Sequence, residues 1–81
     1  MLIKCFLITE KSVAELEKNV ITAIVDRKAN KNKIKKEIEK LFGVEVESVN
    51  TLITPKGEKK AYIRLKSEYS AADLLSKLGV Y

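Results

Sequence analysis

The feature that most constrains the fold is the run Val-Ile-Thr-Ala-Ile-Val at residues 20–25, which is almost continuously apolar. A strand of this composition has no polar face to turn toward water, so the run predicts a central strand that is covered on both faces. The remaining segments must therefore supply neighbouring strands and helices that pack on the sheet.

The segment after this run predicts an amphipathic helix. Asn30 is a suitable N-cap and Gly43 a suitable stop, and the apolar residues between them recur at helical spacing, at Ile34, Ile38, Leu41 and Phe42. Residues 2–8 predict an edge strand because β-propensity is high there. Thr9 predicts the N-cap of a short helix that runs to Lys18, and Asn19 predicts its stop.

The second half of the chain predicts a hairpin and a last helix. In the strand predicted for 44–53, the apolar positions change phase near Ser48, which indicates a β-bulge. Residues 54–57 (Thr-Pro-Lys-Gly) form a turn, and Lys59–Lys66 return as a strand. Ser70 predicts the N-cap of a helix that ends at Gly79, with its buried stripe formed by Leu74, Leu75 and Leu78.

These elements predict an α+β fold with a small, mainly antiparallel four-stranded sheet and helices packed on its faces. The sheet combines the N-terminal edge strand with a strand–helix–strand–strand unit. A right-handed crossover makes the strands at 20–26 and 44–53 parallel, with the returning strand between them. The 81 residues predict one domain that spans 1–81.

The composition argues against several classes of protein. With one Cys and no His, the chain cannot form an internal disulfide, and it lacks the usual metal ligands and the commonest general base. No glycine-rich phosphate loop or paired-carboxylate motif supports an enzyme. We therefore expect no catalytic residue, metal, cofactor or small-molecule substrate. The apolar runs are too short to cross a bilayer, so we expect a soluble, cytoplasmic protein without membrane insertion.

The charge is concentrated in two blocks. The net charge is +5, and residues 19–43 carry seven basic and three acidic residues while residues 55–66 carry five and one. In the first block, Lys31 and Lys33 occupy the first turn of the predicted helix, where the helix dipole favours acids. A bound phosphate would make this placement favourable, whereas the alternative is a solvated lysine face that keeps the protein soluble.

The second block places Lys60, Tyr62, Arg64 and Lys66 on one face of the returning strand. This pattern fits a surface that follows a nucleic-acid backbone, with Tyr62 able to stack on a base. The alternative is the wet face of an edge strand, where lysines prevent aggregation.

An ordered set of short motifs carries a resemblance to a family. The set comprises Thr9-Glu10-Lys11, residues 31–42 followed by Val44-Glu-Val, Val49-Asn50-Thr51, and residues 57–65 (Gly-Glu-Lys-Lys-Ala-Tyr-Ile-Arg-Leu). Together they closely resemble large-subunit ribosomal protein twenty-three, in its short archaeal-type form. The resemblance implies a sheet with helices on both faces, bound to large-subunit rRNA beside the polypeptide exit tunnel.

The resemblance also implies partners and positions. The partners would be large-subunit rRNA, neighbouring large-subunit ribosomal proteins, and signal recognition particle or a chaperone that docks near Glu10. Two family features do not transfer. The loop at residues 54–58 is too short to line the tunnel, and Gly43 stands where a bacterial relative can carry an acidic docking residue.

The hypothesis assigns two sets of residues. The rRNA-binding set combines cations with neutral groups, and its members are Lys11, Arg27, Lys28, Asn30, Lys31, Lys33, Lys36, Asn50, Thr51, Lys56, Lys59, Lys60, Tyr62 and Arg64. The partner-docking set is acidic and comprises Glu10, Glu15 and Glu17. The alternatives are a free-standing small RNA-binding module and a protein-interaction adaptor that uses the acidic set.

Overall fold

The computed structural model describes residues 2–81, which form four strands and three helices. In chain order these are β1 (Ile3–Phe6), α1 (Glu10–Glu17), β2 (Val20–Val25), α2 (Lys31–Phe42), β3 (Val46–Ile53), β4 (Lys59–Leu65) and α3 (Ala71–Lys77). The strands form one sheet in the order β1-β2-β4-β3, and every neighbouring pair is antiparallel. β2 and β3 are therefore parallel with β4 between them, which confirms the predicted α+β fold.

All six residues of β2 are buried, which confirms its central place in the sheet. Strand alternation turns Ile21, Ala23 and Val25 toward the main core, together with Ala61 and Ile63 of β4. The opposite face carries the remaining residues of these strands and is called the open face below. α1 lies on that side of the sheet, since its Ser12 lines a small cavity together with Thr22 and Tyr62.

α2 and α3 cover the core face with short stripes. Ile34 and Ile38 of α2 and Ala71 and Leu75 of α3 are buried in the core. Phe42 continues the i, i+4, i+8 stripe of α2 and packs against Phe6, with the ring centroids 6.1 Å apart.

Two leucines predicted in these stripes are exposed, so the prediction was wrong for them. Leu41 is 49% exposed because it lies beside the inward stripe in the last turn of α2. Leu78 is 42% exposed because α3 ends at Lys77.

The helix ends and the bulge follow the sequence. The Asn30 side chain accepts a hydrogen bond from the Lys33 N–H at 2.8 Å, and Gly43 ends α2 in the left-handed region with φ +65°. The register of β3 against β4 shifts between Val46 and Ser48, which confirms the bulge. β3 begins at Val46, two residues after the predicted start.

Asn19 joins three elements. Its φ is +66°, a left-handed conformation that Asn tolerates better than most residues. The two hydrogens of its Nδ2 are shared among the carbonyl oxygens of Tyr69 at 2.8 Å, Leu65 at 3.1 Å and Lys66 at 3.2 Å. Its Oδ1 accepts from the Ala71 N–H at 2.7 Å. The residue between α1 and β2 therefore fixes the end of β4 and the start of α3.

Candidate nucleic-acid interface

The turn between β2 and α2 and the first turns of α2 form a projecting row of cations. This row is called the basic ridge, and its members, all exposed, are Arg27, Lys28, Lys31, Lys33 and Lys36. The Asp26 carboxylate shapes the turn by accepting a hydrogen bond from the Lys28 N–H at 2.8 Å. The ion pairs within residues 2–81 are Lys18–Glu15 and Lys66–Glu45. No carboxylate among these residues therefore forms an ion pair with a cation of the basic ridge.

The hairpin base adjoins the basic ridge. Lys59 pairs with Val25 across β4 and β2, and its Nζ donates to the Ala29 carbonyl oxygen at 2.6 Å. The side chain is half-buried, so one predicted rRNA-binding cation is partly engaged inside the fold. Lys56 is exposed in the nearby turn. The first basic block and the hairpin end of the second therefore meet at one end of the sheet, whereas Arg64 lies at the other end of β4.

A groove runs across the open face. It has a volume of about 440 Å³ and is called the open-face groove, and its lining residues come from α1 and three strands: Lys11, Glu15, Val20, Ser48, Asn50, Tyr62 and Arg64. Tyr62 stands between Thr22 and Asn50 in the sheet register. The Nζ of Lys60 lies 6.0 Å from the centroid of the Tyr62 ring, at the outer limit of a cation–π contact.

The structure separates two neighbouring members of the predicted rRNA-binding set. Asn50 is exposed and lines the open-face groove. Thr51 points to the opposite face because it alternates with Asn50, and it pairs with the buried Ala61. If Asn50 and Thr51 both formed hydrogen bonds to one RNA backbone, that backbone would have to contact both faces of the sheet.

A buried hydroxyl lies beneath the groove. Thr22 is 3% exposed, and its Oγ1 has no hydrogen-bond partner among residues 2–81. A cavity of about 30 Å³ adjoins it, lined also by Ser12 and Tyr62. An unpaired buried hydroxyl is costly, and the adjoining cavity is large enough for one water molecule to pair with it.

The acidic set does not form one surface. Glu10 and Glu17 are exposed on α1. Glu15 instead lines the open-face groove, and its carboxylate lies 3.7 Å from the Lys18 Nζ. The position of Glu15 beside Lys11 and Arg64 was not expected from the sequence, because only the packing of α1 on the open face brings them together.

Val20 and Ser48 also line the groove, and neither was expected there from the sequence. Both residues pair with Arg64 in the sheet, so a correct prediction of the strand register would have placed them in the groove. Within residues 2–81, no group of three His, Cys, Asp or Glu side chains is arranged to hold a metal ion. No helix in the same range has the length and apolar character needed to cross a membrane.

The fold and this surface define a small basic α+β domain that presents cations and hydrogen-bonding groups. The family model of ribosomal protein L23 matches residues 1–72. The large ribosomal subunit protein uL23 of Pyrobaculum aerophilum is 59% identical over 80 residues, which cover 98% of this chain and 99% of that protein. The chain belongs to the ribosomal protein L23 family, as the sequence motifs predicted. It is a ribosomal protein that acts in translation, on the ribosome in the cytoplasm.

Proposed function

We propose that this protein is a structural constituent of the large ribosomal subunit and binds large-subunit rRNA mainly through phosphate contacts. The observation that carries the proposal is the basic ridge, whose exposed cations lack carboxylate partners within residues 2–81. Cations in this state can neutralise a phosphate backbone without first breaking an internal ion pair.

The helix geometry supports the same partner. Lys31 and Lys33 lie in the first turn of α2, where no acidic residue balances them. The unpaired amides, the helix dipole and the lysines all favour an anion at this end. A phosphate backbone fits better than a single small anion, because the cations extend over the turn and the hairpin base. We propose no enzymatic role.

The proposal is tested on large ribosomal subunits purified from the source organism and washed at moderate salt. We expect the protein to stay with the subunits in amounts equal to other integral proteins, because several phosphate contacts must break together for it to leave. Recovery mainly in the wash or in the ribosome-free fraction would contradict the proposal and favour a free-standing RNA-binding module.

We also propose that the exposed end of α1 is a docking point beside the tunnel exit for signal recognition particle or a chaperone. The support is the resemblance at Thr9-Glu10-Lys11, together with the exposure of Glu10 at the first turn of α1. Neighbouring large-subunit proteins would contact other parts of the surface.

The docking role predicts that Glu10→Ala lowers the binding of signal recognition particle to ribosomes by about tenfold, the loss of roughly one charge-assisted hydrogen bond. Co-sedimentation of the particle with reconstituted subunits measures the effect. Glu68→Ala, which removes an exposed acid outside α1 and outside both assigned sets, is the matched control. Equal recovery with Glu10→Ala and with the wild type would remove Glu10 from the docking surface.

A further inference from the structure

We infer that the open-face groove holds one unpaired nucleotide of the rRNA, with its base stacked on Tyr62. The inference rests on the proposed function and deepens it, since it assigns a second and chemically different contact to the same RNA. The basic ridge recognises only the negative charge of the RNA backbone. The groove instead combines an aromatic ring, cations, an amide and a carboxylate.

The groove has the size of a small-ligand site, and its lining is mainly polar and charged. Its volume of about 440 Å³ falls in the range of pockets that enclose ligands of nucleotide size. Tyr62 is half-buried and lines the groove, so its position is fixed by the sheet while part of the ring reaches the open side. A rigid ring of this kind can stack on a base at little cost in side-chain entropy.

The charged side chains of the groove favour a nucleotide over a simple anion as its ligand. Lys11 and Arg64 supply cations for a phosphate, whereas Glu15 in the same groove would repel one. A carboxylate accepts hydrogen bonds from the amino groups of bases, and the Asn50 amide both donates and accepts. A nucleotide satisfies both kinds of group, with its phosphate toward the cations and its base edge toward Glu15 and Asn50.

The nucleotide must be unpaired. Bases inside an RNA helix expose their edges but not their faces, so an aromatic side chain can stack only on a base that has left the helix. The basic ridge offers no aromatic ring for stacking, because its members are lysines and an arginine. The two surfaces would therefore hold a helical backbone and an extruded nucleotide.

The inference predicts a difference between two substitutions of one residue. Tyr62→Leu should weaken binding to in vitro transcribed large-subunit rRNA by about ten- to a hundredfold, the effect of losing one stacked base. Tyr62→Phe keeps the ring and should bind within about twofold of the wild type, because stacking uses the ring face. The dependence of affinity on salt should be the same in all three proteins, because stacking releases no counterions.

Filter binding across a salt series measures these affinities, and urea unfolding confirms that each variant is folded. Wild-type affinity in Tyr62→Leu, an equal loss in Tyr62→Phe, or a changed salt dependence in Tyr62→Leu would each overturn the inference. Failure of the proposed function looks different, since the wild-type protein itself would then not bind the rRNA.

Ultraviolet cross-linking of wild-type large subunits gives a second test that requires no variant. We expect the tryptic peptide that contains Tyr62 to carry one specific nucleotide. If that peptide carries no nucleotide while Lys11 cross-links chemically to another ribosomal protein, the groove faces a protein and the inference is wrong.

Discussion

Replacing Asn19 with alanine is expected to lower the free energy of unfolding by about 3 kcal/mol. The side chain joins the end of β4 to the start of α3 through hydrogen bonds to four backbone groups. The net contribution of each such bond is roughly 0.5–1.5 kcal/mol, and a left-handed backbone costs alanine about 1 kcal/mol more. Because single domains are typically stable by only about 5–15 kcal/mol, the loss is a large share of the total.

Urea unfolding followed by circular dichroism measures the effect, and two controls separate its causes. Asn19→Gly keeps the left-handed backbone without strain, so we expect it to recover about 1 kcal/mol relative to alanine. Asn32→Ala changes an exposed residue of α2 and should stay within about 0.5 kcal/mol of the wild type. A change below about 1 kcal/mol in Asn19→Ala would contradict the role of this junction.

Reversing the charge of Lys31 and Lys33 together is expected to weaken rRNA binding by on the order of 100-fold at moderate salt. Two charge-assisted contacts at about 1.5 kcal/mol each account for this loss. The fold should remain intact, because both side chains are exposed and acids suit the first turn of a helix. The variant Lys31→Glu/Lys33→Glu should therefore be at least as stable as the wild type.

The matched control is Lys4→Glu/Lys77→Glu, which changes the net charge equally at two exposed lysines outside the basic ridge. Filter binding at one salt concentration compares the affinities of the three proteins. If both double variants lose affinity equally, net charge alone explains the effect and the ridge has no special role. If neither loses affinity, the first turn of α2 does not contact the RNA.

Local rules explain why the element order could be predicted from the sequence. The caps at Thr9, Asn30 and Ser70, and the bulge near Ser48, depend on residues a few positions apart, and the structure confirms each of them. The errors lie at the ends of elements, at the start of β3 and in the last turns of two helices. Leu41 and Leu78 have apolar side chains and lie at the ends of helices. Whether the last turn of a helix packs on the sheet depends on the lengths of the elements beside it, which local sequence does not give.

Contacts between distant residues could not be predicted from local patterns. Asn19 was recognised as a helix stop, yet its bonds to Tyr69 and Ala71 cross about fifty positions of sequence. Glu37 likewise accepts hydrogen bonds from the Leu2 and Ile3 amides, which places an acid of α2 at the start of β1. Such contacts require the three-dimensional arrangement of elements that are separate in sequence.

In the candidate site, too, local patterns could be predicted from the sequence and contacts between distant residues could not. Strand alternation was enough to place Lys60, Tyr62 and Arg64 on one face, because side-chain direction has a period of two. The membership of Glu15 and Ser48 in the groove depends on how α1 and β3 pack beside β4. The contact between Lys59 and Ala29, which brings the hairpin end of the second basic block to the first block, depends on the pairing of β2 with β4.

The measurement that tests the central claim most directly is the slope of log affinity against log salt for the protein and in vitro transcribed large-subunit rRNA. With roughly six phosphate contacts, we expect a wild-type slope of about −4 or steeper. The Lys31→Glu/Lys33→Glu variant should be shallower by about 1.4–1.8, the contribution of two contacts. A wild-type affinity that stays flat as salt rises would contradict phosphate-based rRNA binding.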